Sequence, residues 1–160
     1  MNEREQVLKA AAELVAAFAR NDREAYFGAF SVDASFVFYT LAQPLLSRDA
    51  YQALWDSWRR EDGFEVLSCT SSNAFVSLQG DTAVFIHDVA TELRMQGEQH
   101  FSQERETIVF ADKGPAHNNK AYGWPATNIC PQCRKGCHPL ARKVTLTHDE
   151  RAFVIGADHE

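Results

Sequence analysis

The sequence has 160 residues, which is the size of one domain with a sizeable hydrophobic core. Its apolar fraction of 45% is typical of a globular protein, and its net charge of −6 argues against a nucleic-acid partner, which would need clustered lysine and arginine. No apolar run has the length of a membrane span, and the first residues are polar, so we expect a cytoplasmic protein that does not bind a membrane.

Three helices are predicted in the first part of the chain. Asn2 and Glu5 have the spacing of a capping box, and apolar residues then recur at helical spacing until the turn before Asp22. Asp22 is expected to cap a second, shorter helix. A third helix is predicted to begin at Ser47 and to end at Gly63, with tyrosine, leucine and tryptophan side chains on one face.

Strands account for most of the remaining regular structure. The β-branched and aromatic content predicts a first strand at 35–40, and Asp33 is expected to cap the turn before it. Four further strands are predicted after the third helix, at about 64–70, 73–79, 82–95 and 98–112.

The stretch 82–95 alternates between two faces, and neither face is purely polar near its middle. We therefore expect both faces to be covered there, as in a curved sheet that has helices on its concave side. One face carries Phe85, His87, Val89 and Leu93, and the other carries Val84, Ile86, Asp88, Ala90 and Glu92.

The composition changes near residue 113. Residues 1–113 contain 10 lysine and arginine residues against 18 aspartate and glutamate residues, whereas residues 114–160 contain 6 against 4. The second segment also holds three of the four cysteines and four of the five prolines. Such a shift indicates a boundary, so we divide the chain into a domain at 1–113 and an atypical, poorly ordered tail at 114–160.

Three local patterns carry a resemblance to a known superfamily: the turn at 18–25, the "F-x-x-D-A-x-F" pattern at 30–36 and the strand at 105–110. Together with the element order, residues 1–113 resemble the SnoaL-like and ketosteroid isomerase-like proteins of the nuclear transport factor 2-like superfamily. The resemblance implies an α+β fold, in which a cone-shaped, curved antiparallel sheet wraps three N-terminal helices around a mostly apolar pocket. It also implies a homodimer that forms through the sheet.

The resemblance does not extend to the catalytic residues of ketosteroid isomerase. Its pattern places Leu14 at the tyrosine of the oxyanion hole, and Phe38 or Tyr39 at the carboxylate base. These side chains cannot do that chemistry, so steroid isomerase activity is not expected.

His87 is the candidate catalytic residue, as an acid or base, although a histidine on an apolar face is more often a hydrogen-bonded core or interface residue. Arg105 could anchor a ligand carboxylate, or it could form a surface salt bridge with Glu92 or Glu104. Cys69 is expected to be a buried strand residue. The candidate residues of a ligand pocket are Tyr26, Phe30, Phe38, Trp55, Trp58, Phe85 and Arg105.

The tail allows two interpretations. Four candidate zinc ligands lie within nine residues, namely Cys130, Cys133, Cys137 and His138. Structural zinc sites usually take their second ligand pair from a separate turn, so this is a weak zinc signal, and we expect no metal or cofactor.

The second interpretation is a frameshift near 114–119. When 120–136 is back-translated and read one base earlier, the codons permit Q-G-L-W-L-A-C-H-E-H-L-S-P-M-P-E-G. This resembles the last strand of the superfamily, which the sequence as written lacks, so that strand is predicted to be missing or replaced. Its loss would expose the edge of the strand at 98–112, and a possible hairpin at 143–155 could cover that edge.

Three functional hypotheses follow, in order of preference. The first is a SnoaL-like cavity protein that binds a small, partly apolar molecule, with acid–base chemistry of an isomerase, cyclase or hydrolase type. The second is a non-catalytic dimeric accessory domain, and the third is a zinc-binding module formed by the tail cysteines.

Overall fold

The computed structural model describes residues 2–38, 40–112 and 126–135. Three helices precede a five-stranded curved sheet whose strand order is β1-β5-β4-β3-β2. β5 runs parallel to β1, and the other neighbouring strands are antiparallel. The elements are α1 (Glu3–Ala19), α2 (Arg23–Gly28), β1 (Phe30–Phe36), α3 (Arg48–Asp62), β2 (Glu65–Gln79), β3 (Thr82–Met95), β4 (Glu98–Ala111) and β5 (Ala126–Lys135).

The predicted helix ends are confirmed. Asn2 and Glu5 form a reciprocal capping box at the start of α1. The side chains of Asp22 and Ser47 accept hydrogen bonds from backbone N–H groups at the starts of α2 and α3. Gly63 follows α3 with φ +61°, the left-handed conformation that glycine adopts without steric cost. Among the described residues, no helix is long and apolar enough to cross a membrane.

The strands β3 and β4 form a hairpin whose register is set by its turn. Gln96 and Gly97 both have positive φ, as a two-residue type I′ turn requires, and Met95 pairs with Glu98 on either side of them. Every position from Thr82 to Met95 then has a partner in β4 without a register shift.

Two strand predictions were wrong in detail. β1 begins at Phe30 rather than at 35, so Asp33 is an exposed strand residue and not a cap before the strand. The predicted strands at 64–70 and 73–79 are one strand, β2, which is interrupted by a bulge near Asn73. Asn73 has φ +52°, so the chain bends there without leaving the sheet.

The sheet has an inner face that packs against the helices and an outer face that does not. The inner face of β3 carries the buried residues Phe85, His87, Val89 and Leu93, as the alternation predicted. α1 packs against β2 and β3, while α2 and α3 pack against β1. The core between the helices and the inner face is dominated by aromatic side chains, including Phe27, Phe36, Trp55, Phe64 and Phe110.

The last strand is replaced rather than missing. The backbone of Ala126–Lys135 forms β5, which lies between β1 and β4 and joins them in one sheet. The expectation of an exposed β4 edge is therefore wrong, because β4 pairs with β5 from Gln103 to Phe110. The possible hairpin at 143–155 lies outside the described residues.

Candidate functional site

Three polar residues from neighbouring strands meet on the inner face, and we call them the inner row: Ser71 of β2, His87 of β3 and Glu106 of β4. Oγ of Ser71 lies 2.7 Å from Nδ1 of His87, and Oε1 of Glu106 lies 3.0 Å from Nε2 of the same ring. His87 is fully buried, the Glu106 side chain is 14% exposed, and Ser71 is exposed. The row therefore runs from a fully buried imidazole to a residue that is exposed at the surface.

The hydrogen bonds of the inner row fix the tautomer of a neutral His87. Because a carboxylate only accepts, Nε2 carries the proton and donates it to Glu106. Nδ1 then has a free lone pair, which accepts the hydrogen bond from the hydroxyl of Ser71. This arrangement of hydroxyl, imidazole and carboxylate can transfer a proton between Ser71 and His87 while Glu106 stabilises the imidazolium.

Two tyrosines from the helices form a buried pair in the core. The hydroxyl groups of Tyr26 and Tyr51 are 3.4 Å apart, and both residues are 4% exposed. Burial raises the pKa of both phenols well above the ordinary tyrosine range. The charge of Glu106 acts in the same direction on the pKa of both phenols. Both phenols remain protonated hydrogen-bond donors at neutral pH.

Four buried polar atoms have no hydrogen-bond partner in the part of the chain that the structure describes. They are Oγ of Ser31, Nε of Arg48, Nε1 of Trp55 and Oγ of Ser102. Trp55 is fully buried and packs edge-on against Phe27 and Phe64. A buried indole N–H without an acceptor costs free energy, so Trp55 is suited to donate to an oxygen atom of a bound molecule.

The outer face carries a second set of polar residues on the same three strands, which we call the outer row: Asn73, Asp88 and Arg105. Nε of Arg105 lies 3.1 Å from Oδ1 of Asp88, and Nδ2 of Asn73 lies 2.9 Å from Oδ2 of Asp88. The Arg105 side chain is 47% exposed. Arg105 thus makes a surface salt bridge, as one of the two interpretations predicted, but its partner is Asp88 rather than Glu92 or Glu104.

The structure brings most of the predicted pocket residues together. Phe38 is partly buried at the margin of the core, and Tyr39 lies outside the described residues. Arg105 is the exception, because it projects from the outer face. The residues that are buried in the common core are Tyr26, Phe30, Trp55, Trp58 and Phe85.

Sequence reasoning missed Ser71 and Glu106. Glu106 could have been found, because a two-residue turn at 96–97 places it directly opposite His87 in the hairpin. Ser71 could not have been found from the sequence, because a regular hairpin at Gly80 would place Ala74 opposite His87. The bulge leaves Asn73 and Ala74 without partners in the described ladder and moves Ser71 next to the ring.

Part of the predicted zinc site lies outside the described residues. Among the described residues there is no group of three or more histidine, cysteine, aspartate or glutamate side chains that could hold a metal ion. Cys130 and Cys133 belong to β5, and the other two predicted zinc ligands lie outside the described residues, so the zinc site stays a prediction. Cys69 is mostly buried, as expected, and burial raises the pKa of its thiol to about 12.

The fold is that of a nuclear transport factor 2-like protein, and the family follows from the sequence. The model of the SnoaL-like domain matches residues 7–115, which is more than half of the chain. The chain therefore belongs to the SnoaL-like domain family. No curated protein matches it.

Solved structures show the same architecture at low sequence identity. A ketosteroid isomerase-like protein from Erwinia carotovora atroseptica superposes with a TM-score of 0.68 at 15% identity, covering 85% of this chain and 100% of that one. A nuclear transport factor 2-like protein from Cytophaga hutchinsonii has a TM-score of 0.66 at 15% identity, with coverages of 83% and 99%. Another, from Novosphingobium aromaticivorans, has a TM-score of 0.62 at 19% identity, with coverages of 88% and 86%. At these identities the likeness concerns the fold alone.

Proposed function

We propose that the protein binds a small, partly apolar molecule at the inner face of the sheet and that His87 performs acid–base chemistry on it through the hydroxyl of Ser71. The observation that carries this proposal is the inner row, in which both ring nitrogens of a fully buried His87 are hydrogen-bonded, to Ser71 and to Glu106. Burial of the polar His87 ring costs folding free energy, and its two hydrogen bonds hold the ring in one tautomer. An acid–base residue requires such a fixed tautomer.

The surroundings of the inner row support the chemical class of the ligand. Phe85 packs against the ring of His87, with 4.7 Å between the ring centroids, and Tyr26 and Trp55 belong to the same buried core as Phe85. The Trp55 indole N–H has no acceptor among the described residues, which favours a ligand with a carbonyl or hydroxyl oxygen.

The binding proposal can be tested by NMR spectroscopy with ¹⁵N-labelled protein. We would titrate acetophenone, cyclohexanone and p-cresol, and follow the indole N–H cross-peaks. We expect the Trp55 signal to move more than that of Trp58, whose indole serves as the internal control. Trp55→Phe identifies the signal and should weaken binding several-fold, while Trp58→Phe should not. If none of the three compounds moves the Trp55 signal, the binding proposal is wrong.

The acid–base role requires a separate measurement. For a ketone that binds, exchange of its α-protons with D₂O should be accelerated by the protein. The acceleration should be lost in His87→Gln, which keeps a polar side chain but cannot take up a proton. Exchange that continues unchanged in His87→Gln would contradict the role of this residue.

A second candidate function is a non-catalytic dimeric accessory domain. It is favoured by the outer face, where Phe75 is 59% exposed and pairs with the half-buried Ile86, and where Phe101 is 62% exposed opposite Glu92. Sedimentation equilibrium tests it: the parent protein should be a dimer, and Phe101→Glu should shift it towards the monomer. A monomeric parent protein would exclude this candidate.

A further inference from the structure

We propose that Ser71 is a nucleophile and that the inner row cleaves carboxylic esters through an acyl-enzyme intermediate. This inference rests on the proposed function, because the acyl group of the ester would occupy the same inner face. It adds a covalent step and assigns the reacting atom to Ser71 rather than to His87.

The exposure of the three residues of the inner row identifies Ser71 as the one that reacts with the substrate. His87 is fully buried, and both of its nitrogens are engaged, so a substrate meets the hydroxyl of Ser71 before it meets the ring. Ser71 is exposed, and its Oγ lies 2.7 Å from Nδ1 of His87, which is within the reach of a nucleophile–base pair. Glu106 holds the other nitrogen at 3.0 Å and is a positioning residue.

The β2 bulge supplies the second observation. Asn73 and Ala74 have no partner in the described β2–β3 ladder, and Asn73 adopts φ +52°. Bulges of this kind occur beside active sites, where they redirect a side chain and release backbone N–H groups from the ladder. Such N–H groups, two and three residues from Ser71, are the type of donor that stabilises an oxyanion.

The reaction balances without a cofactor. Oγ of Ser71 attacks the carbonyl carbon of the ester, and its proton passes to Nδ1 of His87. Collapse of the tetrahedral adduct breaks the carbon–oxygen bond, and Nδ1 returns the proton to the departing alcohol. Water then attacks the acyl group while Nδ1 takes its proton, and Ser71 leaves with that proton, which gives the carboxylic acid.

The test uses the full chain and an alkyl fluorophosphonate, which modifies activated serines, with intact-mass and peptide mass spectrometry. We expect one adduct per chain, located on Ser71 and absent in Ser71→Ala. Ser72→Ala is the matched control, because Ser72 is the adjacent exposed serine and pairs with Asp88 rather than contacting His87. This variant should react at the rate of the parent protein.

The role of Glu106 needs a readout that simple structural damage would not produce. In Glu106→Gln, the maximal labelling rate should fall at least about 100-fold, while the probe concentration that gives half of that rate stays unchanged. The parent protein should also release p-nitrophenol from p-nitrophenyl acetate in a burst of one equivalent, which Ser71→Ala should lack.

The inference is overturned if Ser71 carries no adduct, if Ser72 reacts equally well, or if Glu106→Gln reacts as fast as the parent protein. The indole titration separates this failure from failure of the proposed function. Ligand shifts at Trp55 without an adduct at Ser71 would leave the binding proposal intact and remove only the covalent step.

Discussion

The inner row and the outer row cross the same three strands at neighbouring positions, yet they lie on opposite faces of the sheet. Both place an acidic residue beside a nitrogen base at almost the same distance, 3.0 Å in the inner row and 3.1 Å in the outer row. They differ in burial, because the base is fully buried in the inner row and 47% exposed in the outer row.

This difference shows that environment, rather than residue type or distance, gives such a pair its role. In the outer row, water and salt screen the charges and can replace a lost partner. In the inner row, a lost partner leaves a buried polar atom without a hydrogen bond. The inner row therefore costs stability unless its partners are retained, and only there can a proton be held in a defined position.

The largest expected effect comes from two adjacent apolar residues of β3. Phe85 is 2% exposed on the inner face and contacts the ring of His87, whereas Ile86 is half-buried on the outer face. Phe85→Ala should lower the free energy of unfolding by about 3–5 kcal/mol, because it leaves a cavity in the core. Ile86→Ala should lower it by only about 1 kcal/mol. Urea denaturation with matched buffers measures both values.

The same pair of variants tests whether the outer face is covered by a second copy of the chain. If it is, the effect of Ile86→Ala should approach that of Phe85→Ala and should increase with protein concentration, because dissociation then accompanies unfolding. Equal effects that do not depend on concentration would contradict the distinction between the two faces.

A smaller effect is expected from removing one charged residue of each row. Glu106→Ala leaves Nε2 of the buried His87 without its partner and should cost about 1–3 kcal/mol. Arg105→Ala leaves Asp88 bonded to Asn73 and accessible to water, so it should cost less than about 1 kcal/mol. Urea denaturation at low and high salt compares them. A larger loss for Arg105→Ala would reverse our assignment of the two faces.

Much of the fold was predictable from the sequence because its signals are local. Asn2, Asp22 and Ser47 cap the helices that follow them, and Gly97 defines a turn that sets the whole β3–β4 register. The alternation in β3 correctly placed Phe85, His87, Val89 and Leu93 on one face, which is buried. The other face, which was also expected to be covered, is only half-buried in the structure.

The rest depended on nonlocal pairing. The sequence around Asn73 indicated a strand break, whereas in the structure Asn73 adopts a left-handed conformation within one strand. One strand was therefore predicted as two, and the position of Ser71 beside His87 was not predicted. β5 has no alternating apolar pattern, and its pairing with β1 and β4 comes from distant parts of the chain. The frameshift hypothesis for this segment stays a prediction, which the coding DNA across residues 112–138 would test.

The two buried tyrosines should show an effect of about 1 kcal/mol that depends on pH. Tyr26→Phe or Tyr51→Phe removes their hydroxyl–hydroxyl contact, and the double variant should cost little more than either single variant. Burial raises both pKa values above the ordinary value for tyrosine, so the folded protein keeps the protons that the unfolded chain releases. Their contribution should be complete below about pH 10 and lost as the pH rises further. The chain has four tyrosines, so tyrosinate absorbance of more than two equivalents before the protein unfolds would contradict this.

The smallest expected effect comes from an exposed ion pair between helices, which extends the comparison to the helical surface. Nε of Arg23 lies 2.6 Å from Oδ1 of Asp56, and the two side chains are 42% and 45% exposed. The hydrogen bond from Arg23 lowers the pKa of the Asp56 carboxyl below the ordinary value for aspartate. The contribution of this ion pair to the free energy of unfolding should therefore be present above about pH 4 and lost as the pH falls below that value.

After allowance for screening by solvent, Asp56→Asn should cost no more than about 0.5 kcal/mol at neutral pH, and high salt should abolish the difference. A double-mutant cycle with Arg23→Gln isolates the pair from other effects of each substitution. A coupling free energy above about 1 kcal/mol that persists in salt would mean that short distance alone strengthens an exposed pair. Burial would then not explain why the inner row and the outer row differ in their contribution to stability.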